Sequence, residues 1–151
     1  MKPLWIALGV VALLCCGGVL FFGGAAFFAG KGKLDAAGAY GDESLKAIAS
    51  QWSASELKSR MAKEVFEQNP EGTIDNVTRV LGQALGPIKP TTLKSRILGI
   101  EAKTDTATGT FVTANYEADA EFEKAKGHVA MELIERDGQW KVLKFNGEEV
   151  K

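Results

Sequence analysis

Three features of the sequence predict an α+β fold behind an apolar amino-terminal segment. Residues 3–30 contain no charged side chain and no Ser, Thr, Asn, Gln or His. From Ser44 to Leu85 apolar residues recur at three- and four-residue intervals, and beyond Pro90 they recur at every second residue. The expected architecture is an amino-terminal transmembrane helix, then about three helices packed on one face of a curved four-stranded antiparallel sheet, a meander. Residues 1–30 form the anchor (or an uncleaved signal), 31–42 a tether, and 43–151 the α+β domain.

The amino-terminal segment sets the location. A helix from Leu4 to Ala29 extends about 39 Å, more than a bilayer core of about 30 Å. The membrane is therefore the first expected partner, through residues 4–29. A cleaved signal peptide is the main competitor, since Lys2 gives a basic start and Gly24 with Ala26 gives small residues at a workable cleavage spacing. The apolar run exceeds the usual h-region of about 7 to 15 residues, and Phe27 and Phe28 continue it past that site. A lipoprotein signal fits poorly, because Leu14 rather than a small residue precedes Cys15. The amino terminus and Lys2 on one side face Lys31 and Lys33 on the other. The favoured reading is a single-pass protein of the inner membrane with its carboxyl-terminal domain periplasmic.

Composition narrows the domain. Of 18 Lys and Arg only Lys2 precedes residue 31, and all 19 Asp and Glu follow it. A slightly acidic domain with scattered cations has no general attraction for phosphate backbones, so nucleic acid is not an expected partner. Cys15 and Cys16 are the only cysteines. The domain therefore has no disulfide and no thiolate metal cluster, and packing must hold it together.

The elements follow in order. Residues 30–42, GKGKLDAAGAYGD, mix Gly, Ala and charge without a sustained period and read as the tether. Leu45, Ile48, Ala49 and Trp52 form one helical stripe behind an Asp42 or Ser44 cap. The phase breaks at Trp52, where Ser53-Ala54-Ser55-Glu56 fits a capping box for a second helix. That helix carries Leu57, Met61, Val65 and Phe66 inward and stops at Asn69-Pro70. A third follows Gly72 with Ile74, Val77, Val80, Leu81, Ala84 and Leu85 inward, and ends at Gly86-Pro87. Asn76-Val77-Thr78 matches a glycosylation sequon but lies on this helix and is read as chance.

The sheet begins with a strand over Leu93 to Lys103 and a turn over Thr104 to Thr108. The next strand turns Val112, Ala114, Tyr116, Ala118, Ala120 and Phe122 to the core and Thr113, Asn115, Glu117, Asp119 and Glu121 to water. After a loop through Glu123 to Gly127, a third strand presents Val129, Met131 and Leu133. Asp137-Gly138 is a strong hairpin signal. The last strand, Trp140 to Asn146, returns with Trp140 and Val142 inward.

This order of elements, with the ending Glu135-Arg136-Asp137-Gly138-Gln139-Trp140-Lys141-Val142-Leu143-Lys144-Phe145 and the step Leu85-Gly86-Pro87-Ile88-Lys89, resembles the nuclear transport factor 2-like, or broader cystatin-like, α+β domain of small membrane-anchored bacterial proteins. The resemblance covers roughly residues 43 to 147 and rests on structural features. It implies a cone between helices and sheet, in which isomerases and dehydratases of that fold place acids and a Tyr, while other members bind ligands or act as scaffolds. Membrane-anchored assembly factors for respiratory complexes share the plan of one span plus a small α+β domain.

The residues supply no catalytic signature. His128 is the only histidine. Its strand phase points it to solvent, with Glu121 or Glu123 nearby across the loop, and it reads as a solvated pair. Glu117, Asp119, Glu121 and Glu123 gather on the wet strand face, where screening and interleaved Lys and Arg make them a solubilising surface. On the inward face Tyr116 is the one polar candidate, with no Asp or His beside it. Ala114, Ala118 and Ala120 leave room either for a close helix or for a shallow pocket. The pocket would be lined by Trp52, Tyr116, Met131 and Trp140. No metal and no cofactor is expected. The sequence thus favours a membrane-anchored, non-catalytic binding module at the cell envelope, meeting a protein partner or a small apolar ligand. The alternatives are an isomerase- or dehydratase-type enzyme with Tyr116 as its acid, and an assembly factor for a membrane complex.

Overall fold

The computed structural model describes residues 31–70 and 72–151. The anchor, its signal-peptide alternative, and Cys15 and Cys16 lie outside them. Among the described residues no helix is long and apolar enough to cross a membrane. Residues 36–151 form one compact unit.

The first helix, α1, occupies 31–49, so the expected irregular tether over 31–42 is helical instead. The reason is a stripe of small residues. Ala37 and Gly41 continue the Ser44, Leu45 and Ile48 spacing toward the amino terminus, and all five are buried. A stripe counted only on large apolar side chains ends too early. At its other end α1 closes with Trp52 in the left-handed region (φ 49°) and the Ser53 N–H donating to the Ile48 carbonyl at 3.1 Å. This is a Schellman closure with Trp where Gly is usual. The Ser53 hydroxyl then accepts from the Glu56 N–H and caps α2, Ala54–Arg60. The predicted break at Trp52 is present and so is the Ser53 half of the capping box, while the Glu56 carboxylate turns to Arg60 instead of the Ser53 N–H.

The second predicted helix divides in two, α2 and α3 (Lys63–Gln68). Met61 and Ala62 between them are extended. The Ala62 N–H donates to the Val142 carbonyl at 2.8 Å, and Met61 bridges Val142 in parallel. The edge of the sheet thus takes a donor that a continuous helix would keep. The third predicted helix is α4, Thr73–Leu85. It buries Ile74, Thr78, Leu81 and Leu85, while Val80 and Ala84 are exposed. The stripe is narrower than expected, and it takes in Thr78, whose hydroxyl donates to the Ile74 carbonyl at 3.0 Å. Phe66, also expected inside, is 45% exposed.

A 3₁₀ turn, Pro90–Thr92, leads into an antiparallel meander of four strands in the order β1 (Lys94–Asp105), β2 (Gly109–Glu121), β3 (Lys126–Arg136) and β4 (Gln139–Val150). Asp137 and Gly138 both have positive φ, 52° and 78°. This two-residue reversal matches the right-handed twist of the strands. The alternation on β2 is as predicted: Ala114, Tyr116, Ala118, Ala120 and Phe122 are buried, and Asn115, Asp119 and Glu121 are exposed.

The helices are not all on one face. α1, α2 and α4 cover the inner face, where Leu81 packs on Gly147 and Leu85 on Gly127. The helix α3 turns around the β4 edge. Ile134 and Arg136 alternate with Leu133 and so face outward, yet Ile134 is buried and Arg136 pairs with Glu64 of α3. This end of the sheet is covered on both sides, which also explains why Thr113, expected in water, is buried.

Candidate functional site

Tyr116 lies at the centre of the inner face and is 1% exposed. Its ring rests against Gly41 of α1, where a Cβ would overlap it. Its hydroxyl donates to Asp42 Oδ1 at 2.8 Å. The strand face itself gives Tyr116 no acid, as expected; its acidic companion comes from α1. In the sequence Asp42 reads as tether or helix cap, and only the early start of α1 brings it over the sheet. Burial, then the Asp42 hydrogen bond and charge, raise the Tyr116 hydroxyl far above its ordinary value of 10.0. Tyr40, whose hydroxyl meets the Arg60 carbonyl at 3.4 Å, is also raised, chiefly by burial.

These shifts fix a pH dependence. In the unfolded chain a tyrosine loses its proton near pH 10, whereas both folded-state values lie higher. Below pH 10 the two states bind equal numbers of tyrosine protons and stability is unaffected. Above it the unfolded chain alone ionises, and stability falls as pH rises toward the folded values. Urea midpoints measured from pH 8 to 11.5 are expected to decline above pH 10, and Tyr116→Phe to flatten that decline.

Of the other pocket residues only Met131 sits beside Tyr116. Met131 is its cross-strand neighbour and is buried. Trp52 stacks on Phe122 at 5.8 Å between centroids and donates its indole N–H to the Gly86 carbonyl at 2.7 Å. Phe122 is six residues along from Tyr116, roughly 20 Å in an extended strand. Trp140 pairs with Glu135, itself opposite Val112 and four residues the other way from Tyr116, and is partly buried against the core. The four aromatic and sulfur side chains are thus strung along the inner face. Among the described residues, depressions of about 390, 320, 530 and 320 Å³ open on the domain, and Trp52, Tyr116, Met131 and Trp140 line none of these. Of the two readings of Ala114, Ala118 and Ala120, burial of all three supports close helix packing.

On the outer face the register Asp119↔His128 sets the histidine beside Asp119 rather than Glu121 or Glu123. Its Nδ1 lies 2.8 Å from Asp119 Oδ1 and its Nε2 4.0 Å from Glu117 Oε1. Arg96 of β1 pairs with Glu117 at 2.8 Å. This is the interleaving expected of a solvated face. Among the described residues no group of His, Cys, Asp or Glu is arranged to hold a metal ion.

The class these features define is an α+β domain whose helix–sheet interior is closed at Tyr116 and whose outer sheet face is polar around His128. The chain matches no known family pattern and no curated protein.

Proposed function

We propose that the chain is a membrane-anchored binding module of the cell envelope, its domain of nuclear transport factor 2-like or cystatin-like shape held on the periplasmic side of the inner membrane. The observation that carries the choice of binding over catalysis is the state of the interior at Tyr116. An isomerase or dehydratase working there needs an opening to admit substrate and two groups with separated proton affinities. Tyr116 and Asp42 provide two groups, but the ring is covered by the α1 backbone at Gly41 and is 1% exposed. A hydroxyl held protonated and hydrogen-bonded in a closed core acts as a packing and positioning element.

The anchor half of the reading rests on the uncharged run of residues 4–29. Full-length protein is expected to stay in the membrane fraction after a carbonate wash, also with Cys15→Ala and Cys16→Ala combined, and a version lacking residues 1–30 to be released. Release of the doubly substituted protein would contradict a spanning anchor and point to acylation. Capture of the same partner in detergent by both lengths would assign the span to tethering. Capture by the full length alone would assign it to recognition and favour the assembly-factor alternative.

A further inference from the structure

Between α2, α3, the start of α4 and β4 the domain keeps a cavity of about 320 Å³, at the lower end of the range of small-molecule sites, about 300 to 1,000 Å³. Its walls are apolar: Leu57 and Met61 at α2, Val65 on α3, Ile74 on α4 and Phe145 on β4. The first four are themselves buried and held by the core behind them. The space lies where the chain leaves helical geometry at Met61–Ala62 to bond Val142, and the bulkiest side chain of α3, Phe66, is 45% exposed and does not line it.

The rim has a defined polarity. The Asn69 amide nitrogen donates to the Val65 carbonyl at 2.7 Å, which leaves Oδ1 as an acceptor. The Asn146 Oδ1 accepts the Gly147 N–H at 2.9 Å, which leaves Nδ2 as a donor. A carbonyl only accepts and an N–H only donates, so these partners fix how both amides are turned. Thr73 adds a hydroxyl. Among the described lining residues the one that is charged, Lys144, is bonded to Glu132 at 2.7 Å and is 76% exposed. An ionic head group entering here would lose hydration and gain no free counter-charge from the described residues.

We propose that this cavity binds a neutral, mainly apolar small molecule with one hydrogen-bonding end, of the alcohol or amide class. The proposal rests on the reading of the chain as a binding module and names what one of its sites takes. The test uses the full-length chain in detergent micelles with ¹³C-methyl methionine. Met61 reports on the cavity wall and Met131 on the core under Tyr116. On titration with 1-octanol, octanoate and octylamine, the Met61 methyl signal is expected to shift saturably with 1-octanol. The two charged analogues should bind about tenfold or more weakly, because neither finds a counter-charge. Val77→Trp, at a half-buried lining position, should abolish saturation while the Met131 signal keeps its position. Asn146→Asp retains the acceptor for the Gly147 N–H and puts a carboxylate on the rim, so octylamine should then outcompete 1-octanol.

Absence of saturation at Met61, equal binding of octanoate and 1-octanol, or an unchanged preference in Asn146→Asp would each overturn the proposal. A chain that shows no saturation yet resists the carbonate wash loses the pocket and keeps the anchor. One that saturates with 1-octanol but is washed off the membrane does the reverse.

Discussion

Trp52→Ala is expected to destabilise the domain by about 4 kcal/mol, the usual range for deleting a buried aromatic. Trp52 joins three elements. It closes α1, lies under α4 where a Cβ at Gly82 would come 3.0 Å from its own Cβ, and stacks on Phe122 beyond the end of β2. Its indole N–H also satisfies the Gly86 carbonyl, which follows α4 and has no helical partner of its own beyond that turn. Against this stands its left-handed backbone, which costs an L-residue about 1 kcal/mol that Ala shares and Gly escapes. Trp52→Phe should keep the packing and lose the hydrogen bond, for about 1.5 kcal/mol. Trp52→Gly should therefore be no worse than Trp52→Ala, although glycine is the more costly residue in ordinary backbone. Urea unfolding of the three variants gives the comparison, and a loss below about 1.5 kcal/mol for Trp52→Ala would show that the clamp is not a stability element.

Gly41→Ala is expected to cost about 2 kcal/mol, although helix propensity alone favours Ala over Gly by about 1 kcal/mol. The new Cβ would lie 2.9 Å from Tyr116 Cγ and closer still to Cδ2 and Cε2. The ring has nowhere to go, since its hydroxyl is held by Asp42 and its other face is the sheet. Either α1 retreats or the Tyr116–Asp42 bond breaks. The substitution should also bring down the folded-state value of the Tyr116 hydroxyl, because the same displacement opens the site to water. Combining Gly41→Ala with Tyr116→Leu removes the overlap, and the pair should be less harmful than the sum of the single changes by about 1 kcal/mol or more. Strict additivity would mean that the helix and ring do not touch.

Gly41, Asp42 and Tyr116 show where the sequence was readable and where it was not. The core face of the strand that carries Tyr116 was legible from Ala114 to Phe122, because strict alternation leaves one register for it, whereas the burial of Thr113 was not. The Asp137-Gly138 reversal and the Ser53 cap were legible because each needs a particular residue in a particular backbone state. What escaped was contact across distance. Nothing local marks Ala37 and Gly41 as a packing stripe, since small residues carry no apolar signal and gain their meaning from the ring they meet. Asp42 reached Tyr116 for the same reason, and the acid partner of the site was missed. The split of α2 from α3 likewise depends on the Val142 carbonyl, 80 residues away in sequence from Ala62. The cavity beside α3 lies at that split and had no sequence signature of its own.

Closure of the interior at Tyr116 separates a binding module from an enzyme working under the sheet, and ionisation of the Tyr116 hydroxyl tests that closure directly. The chain has two tyrosines, so Tyr40→Phe leaves Tyr116 as the only source of tyrosinate absorbance. Titrated from pH 8 upward in the folded protein, this variant should show no tyrosinate near pH 10, with the signal appearing only together with loss of tertiary structure. Reversible ionisation near pH 10 in a protein that stays folded would mean that water reaches the hydroxyl, and would return the space under the sheet to the list of reaction chambers.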